Sequence, residues 1–226
     1  MWNGFWRYRY LLWNLVSRDF KLKYRRSVLG VVWSVLNPLL MCLVYWAVFS
    51  SLMDMRGSGI DNFAVFLMCG QLLFNFFNEA TSTSMSSVLS AAPLLKKVYI
   101  PKYIFPLEKC CFAMVNCIFS FVALLLVMIF TRATFYWTIF LSWLPLVLLF
   151  FFSCGLGLLL SALAVYFRDM MHLYSILTMG WMYATPLFYP ITALPETLQK
   201  LMKLNPLYHY INLFRNLMMY IIRLRN

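Results

Sequence analysis

Few side chains in this sequence could make or break a bond, and their spacing argues against it. There are two histidines, His172 and His209, and seven acidic residues in 226. None of them gathers into the cluster that acid–base or metal-assisted catalysis needs. The six cysteines, Cys42, Cys69, Cys110, Cys111, Cys117 and Cys154, fall within or at the edges of apolar runs without the spacing of a zinc or redox motif, and read as small packing residues. No G-x-x-x-x-G-K-[ST] phosphate loop occurs, so the chain is not by itself an ATPase of that class. No catalytic residue, metal site or bound cofactor is expected. Side chains that grip without reacting are plentiful, since 19% of the residues are aromatic. Trp33, Tyr45, Trp46 and Phe49 recur along one apolar run and Trp181, Tyr183, Phe188 and Tyr189 along another. Aromatic faces stack on the C–H faces of sugar rings and hold a polar chain in no single register, an extension of ordinary ring stacking. The plain alternative for any one of them is packing or contact with lipid.

The elements that must position these residues are membrane helices. The chain is 63% hydrophobic and 12% charged, against roughly 45 to 50% and 25% in soluble domains. Crossing the hydrocarbon layer takes about 20 mostly apolar residues in a helix, because only a helix or a closed barrel bonds its own backbone there. Five stretches qualify, approximately 29–53, 62–82, 108–131, 135–166 and 172–190. Pro186 and Pro190 should bend or break the end of the last. No cleavable signal is apparent ahead of the first. Twelve of the 19 Lys and Arg fall in the N-terminal arm, the loop around 91–109 and the loop at Arg168. Basic loops stay on the cytoplasmic side, so the N-terminus is expected there. The net charge of +12 then needs no nucleic acid; anionic headgroups or an acidic partner surface would account for it.

Residues 1–28 read as an amphipathic helix lying in the membrane interface. Arg7, Asn14, Arg18 and Lys21 share one face, while Phe5, Leu12, Trp13, Leu15, Val16 and Phe20 fill most of the rest; Arg9 and Asp19 break the division. It could anchor the protein, dock a cytoplasmic partner, or both. In the loop 91–109, Pro93, Pro101 and Pro106 restrict any helix to one or two turns, with Leu94–Tyr99 the expected short helix. Leu94, Leu95, Val98, Tyr99, Ile100 and Tyr103 would lie beside water unless a partner or a neighbouring helix covers them. Lys96 and Lys97 stand among them. Within the spans, ends excluded, no ionisable residue is found, which argues against ion-coupled transport.

Four stretches together carry a resemblance: "RDFKLKYRRSVLGVVWSVLNPLL" (18–40), "LLKKVYIPKYIFPL" (94–107), "YFRD" (166–169) and "TPLFYPITALPETLQKLMKLNPL" (185–207). In this order they resemble the membrane subunit of ABC-2 type transporters, nearest the permeases that export O-antigen, teichoic acid and capsular polysaccharides. The resemblance implies an all-α integral membrane protein with the ABC-2 (type V exporter-like) transmembrane bundle over 29–226. It implies a homodimer in the cytoplasmic (inner) membrane, separate ATP-binding-cassette subunits that bind ATP and Mg, and a lipid-linked polysaccharide passing between the two permeases. The interface helix would use Arg18, Asp19, Lys21 and Arg25. Residues 93–103 would be the coupling segment, with Leu94, Leu95, Lys96, Lys97, Val98, Tyr99 and Pro101 meeting the ATPase. The substrate channel would be lined by Trp33, Tyr45, Trp46, Trp181, Tyr183, Phe188 and Tyr189. The region 190–215 would form an extracytoplasmic gate, with Pro190, a helix from Glu196 to Leu204, and Asn205-Pro206 as its break.

Family members of this type have six spans, whereas five are read here. The segment 207–226 is a poor sixth, since Arg215 sits in its middle and a central arginine costs roughly 2.5 to 3.5 kcal/mol on insertion scales. It is expected to lie as an amphipathic helix at the outer surface, with a further span following. A reading from another class is a non-transporting membrane scaffold, or a lipid-modifying subunit, whose basic loops dock a cytoplasmic partner.

Overall fold

The computed structural model describes residues 2–25, 29–52, 62–191 and 194–219, the side chains of 2–7, 51 and 52 excepted. The expectations for Phe5, Arg7, Arg26 and 220–226 therefore lie outside the described residues. The described elements are helical: α1 (Trp2–Tyr24), α2 (Val32–Leu52), α3 (Phe63–Ser90), α4 (Ala92–Leu95), α5 (Ile104–Phe130), a 3-10 helix (Trp137–Ser142) running into α6 (Trp143–Tyr166), α7 (Met170–Ala184), α8 (Glu196–Met202) and α9 (Pro206–Met219).

Four of them are long and apolar enough to cross a membrane: Val32–Ser50, Phe63–Ser90, Ile104–Phe130 and Trp137–Tyr166. The fifth expected span differs. α7 is a 15-residue helix, about 22 Å long at 1.5 Å per residue, and the chain leaves it at Thr185, whose backbone is extended. Proline disfavours the helical conformation in the residue before it, and Pro186 follows Thr185. The prolines of the 91–109 loop act differently from one another. Pro93 lies in the first turn of α4 and Pro106 in the first turn of α5, where a missing N–H costs nothing. The short helix is accordingly Ala92–Leu95 instead of Leu94–Tyr99, and α5 begins at Ile104, not at 108.

α3 is the central element, packed by α5 on one flank and α6 on another. Small residues let the three approach closely. A Cβ on Gly157 of α6 would come within 2.9 Å of Ser84 Cβ on α3, and Ser84 Oγ donates to the Pro106 carbonyl of α5 at 2.9 Å. Such small-residue contacts are how apolar helices associate when lipid is as oily as leucine. Phe76, Phe77, Leu73, Leu124, Leu149 and Phe214 are buried in the core of the bundle. Of the six free cysteines, five are buried.

Candidate functional site

At the end of the bundle holding the α3–α5 loop, α1 is fixed against α5. Leu15 joins Ile100, Ile104 and Phe105 in a buried cluster, with Leu11, Ala91 and Leu95 against it. Phe20 stacks on Phe119 with centroids 5.7 Å apart. Asp19, which breaks the sequence pattern of the arm, is its ionic anchor: it pairs with Lys109 of α5, and with Arg18 at 2.8 Å. Lys109 also lies 3.4 Å from the buried Glu108. Burial pushes the Asp19 carboxyl up, but the hydrogen bonds and positive charge of Lys109 and Arg18 outweigh it and hold the group below its ordinary value. Part of the face expected to meet lipid is thus spent on protein contact, since Leu15 and Val16 are buried while Trp13 and Tyr10 remain exposed.

This docking divides the loop residues. Ile100 is covered and Leu95 partly covered. Leu94, Val98 and Tyr103 are exposed, and Tyr99 is 91% exposed. Lys96 and Lys97 are exposed beside them, and Pro101 is half-buried behind.

At the opposite end of the bundle, the chain between α7 and α9 is held by polar bonds that sequence reasoning missed. Arg215 is buried, yet each of its three guanidinium nitrogens donates a hydrogen bond. Nε donates to the Phe66 carbonyl at 3.2 Å, Nη1 to that of Pro186 at 2.8 Å and Nη2 to that of Leu187 at 2.7 Å. The guanidinium also lies 3.6 Å from the Phe66 ring centroid, a cation–π contact. The expectation that Arg215 keeps its helix at the surface is therefore corrected. The insertion cost applies to a cation facing lipid, whereas α9 buries Leu207, Ile211, Phe214, Arg215 and Met218 within the bundle. Asn205 ties the same region together: its Oδ1 accepts from Trp181 Nε1 at 2.9 Å and from Leu207 N at 3.0 Å, and its Nδ2 donates to Thr185 Oγ1 at 2.9 Å. Among the expected gate residues, Glu196 begins α8 and Pro206 begins α9, while Pro190 is half-buried. The signal that could have revealed the network is the break itself, because a helix interrupted at Pro186 leaves carbonyls that need donors.

The aromatic residues separate by environment. Phe188 is buried and stacks on Phe49, with centroids 5.0 Å apart, and packs against Tyr45 at 5.1 Å. Trp181 meets Phe77 edge-on at 5.4 Å. Tyr189 donates to the Tyr183 carbonyl at 3.0 Å. Trp46 and Tyr183 point outward, 50% and 60% exposed, while Trp33 and Tyr45 line a cleft beside α3. In the single chain, then, Phe188 and Trp181 are packing residues. Among the described residues no group of three or more His, Cys, Asp or Glu could hold a metal ion.

Four apolar helices long enough to cross a membrane, around a broken segment braced by polar bonds, mark the class as an all-helical membrane protein. The chain belongs to the ABC-2 type transporter family, whose pattern it matches over residues 10–219. It is similar to the O-antigen export system permease protein RfbA of Klebsiella pneumoniae, 29% identical over 214 residues that cover 92% of this chain and 80% of that one. RfbA of Myxococcus xanthus is 32% identical over 204 residues, 89% of this chain and 77% of that protein. The polysialic acid transport protein KpsM of Escherichia coli is 25% identical over 213 residues, 91% and 80% of the two chains.

Proposed function

We propose that the chain is the permease subunit of an ATP-binding-cassette exporter that moves a lipid-linked polysaccharide across the cytoplasmic membrane. It works as a homodimer with its N-terminus in the cytoplasm, and ATP, with Mg, is hydrolysed on a separate subunit. The observation that carries this reading is the tip of the α4–α5 loop, where Val98 and Tyr99 stand exposed on a base buried against α1. Apolar side chains held out on a fixed support are a contact surface in search of its partner, and Lys96, Lys97 and Lys102 around them suit an acidic one. Because the base continues directly into α5, a push on the tip reaches a membrane helix and, through Asp19, the interface helix. ATP-driven closure of the partner subunits would move the tips and so open the path between the permeases.

Replacing Val98 and Tyr99 together with Asp tests this, since two carboxylates in an apolar contact cost several kcal/mol, on the order of the contact itself. The variant should insert at normal level, lose co-purification with the ATPase subunit and export no glycan. Normal export would overturn the docking assignment. Normal partner binding in cells whose surface glycan never depended on this chain would favour the scaffold reading.

A further inference from the structure

A cleft of about 670 Å³ opens between α2, α3 and α5, closed at one end by Lys23 and Tyr24 of α1. Its walls are polar beyond what a lipid-facing surface tolerates. Gln71, Asn75 and Asn78 follow one another at helical spacing along α3, facing Asn37 of α2 and Asn116 of α5. Trp33, Asn37, Met41 and Tyr45 recur every fourth residue on α2, so two aromatic rings flank the amides. The charges in the cleft offset one another: the Glu79 carboxylate lies 3.9 Å from Lys23 Nζ and accepts from Asn116 Nδ2 at 2.6 Å.

Two acceptors in this cleft take no hydrogen bond from the protein. Asn116 is only 7% exposed, and its Oδ1, like Gln71 Oε1, is a buried atom without a partner. Native proteins pair most such atoms, so these two call for a partner that the chain itself does not supply, whether water or a bound group. Chemistry narrows what that group is. An alkyl chain would leave the Gln71 and Asn116 oxygens unpaired. A phosphate, which brings acceptors only, would meet unpaired acceptors and a carboxylate. A sugar brings O–H donors for Gln71 and Asn116, acceptors for amide N–H groups, and C–H faces for Trp33 and Tyr45.

We propose that this cleft is a sugar-binding site that takes an uncharged, hydroxyl-rich stretch of the exported glycan. The assignment rests on the reading of the chain as a polysaccharide permease, and it adds a polar track of carboxamides within one subunit.

The test uses the full chain in its native cells, with a photoreactive p-benzoylphenylalanine replacing Asn75, which is exposed within the cleft. A second placement, at Phe151 on the exposed face of α6, is the control. Irradiation should yield a glycan adduct at position 75 and none at 151. The adduct should vanish in cells that cannot synthesise the polysaccharide but keep their membrane lipids. Combining Gln71→Leu with Asn116→Leu should reduce adduct and surface glycan by about tenfold at unchanged protein level, as expected when two hydrogen bonds are lost. Persistence of a sugar adduct in the cells without polysaccharide would assign the site to a lipid headgroup and overturn the proposal. So would equal adducts at both positions, or full export by the double variant, since a cleft filled by water alone gives that result. A wild-type chain that restores no surface glycan to cells lacking it would overturn the permease reading itself, a failure distinct from these.

Discussion

Arg215 meets three main-chain carbonyls with three of its donors and lays its guanidinium plane on Phe66, so two substitutions can interrogate one network. Arg215→Met removes the donors and leaves the carbonyls of Pro186 and Leu187, which lie outside any helix, without their partner. The expected loss is about 2 to 3 kcal/mol of stability, read as a lower unfolding midpoint of the purified protein. Gly70→Ala attacks from the other side, because a Cβ there would come within 2.4 Å of Arg215 Nη2. Its effect should be of similar size, and the double variant should lose clearly less than the sum, since both changes break one set of bonds. Additive losses would mean that Gly70 and Arg215 do not act together. Lysine cannot replace the arginine, because its single ammonium does not present a planar fork to separated acceptors.

At the scale of elements, α1 behaves as an attached part of the bundle through Asp19 and Lys109. Asp19→Lys should loosen it, and so should Lys109→Asp, each impairing export. Combining the two restores an opposite pair and should recover part of the loss, as in a double-mutant cycle. Failure of the combination to recover anything would assign the contact to Leu15 and Phe20 alone. The pH dependence has a definite sign. Since its neighbours hold the Asp19 carboxyl below the ordinary 3.8, its contribution is complete above that value and is lost only as pH falls through the lowered one. The Asp19 contribution to the attachment of α1 should therefore persist from pH 8 down to about 5, and Asp19→Asn should leave unchanged any pH dependence that proteolysis of the arm shows in that range.

For the whole molecule, burial is uneven: 72% of the α3 span is buried but only 6% of the α2 span. A peripheral helix of this kind faces lipid or a second copy. The homodimer reading predicts that Leu43→Cys, at a site 62% exposed on α2, forms a disulfide-linked dimer on mild oxidation of membranes, whereas the parent chain does not. Monomer only would place that face against lipid. What could be read from sequence follows the same division between hydropathy and partnership. Span existence rests on apolar length, and four of five stretches are helices long enough to cross, the first continuing through Pro38. The region after Ala184 did not, because Pro186 decides its backbone. Of the six apolar loop residues expected beside water unless covered, Leu94, Val98, Tyr99 and Tyr103 are exposed while Ile100 is buried and Leu95 partly covered, a division that depends on where α1 packs. Arg215 was misread because an insertion cost presumes lipid neighbours, while its actual neighbours are the Phe66 ring and carbonyl of α3 and two carbonyls beside the break at Pro186. Gln71, Asn75 and Asn78 were legible as one helical face, but their opposition to Asn37 and Asn116 depends on tertiary packing.

The buried arginine also constrains the order in which the protein can be made. Its acceptors come from Phe66 on α3 and from the segment just after α7, both synthesised before it. Until those carbonyls are assembled, a cation on α9 has nowhere to go but the headgroup layer, where water and phosphates satisfy it. The last described helix should therefore dock after the others, as a late closing step of biogenesis that depends on the earlier segments having already packed correctly.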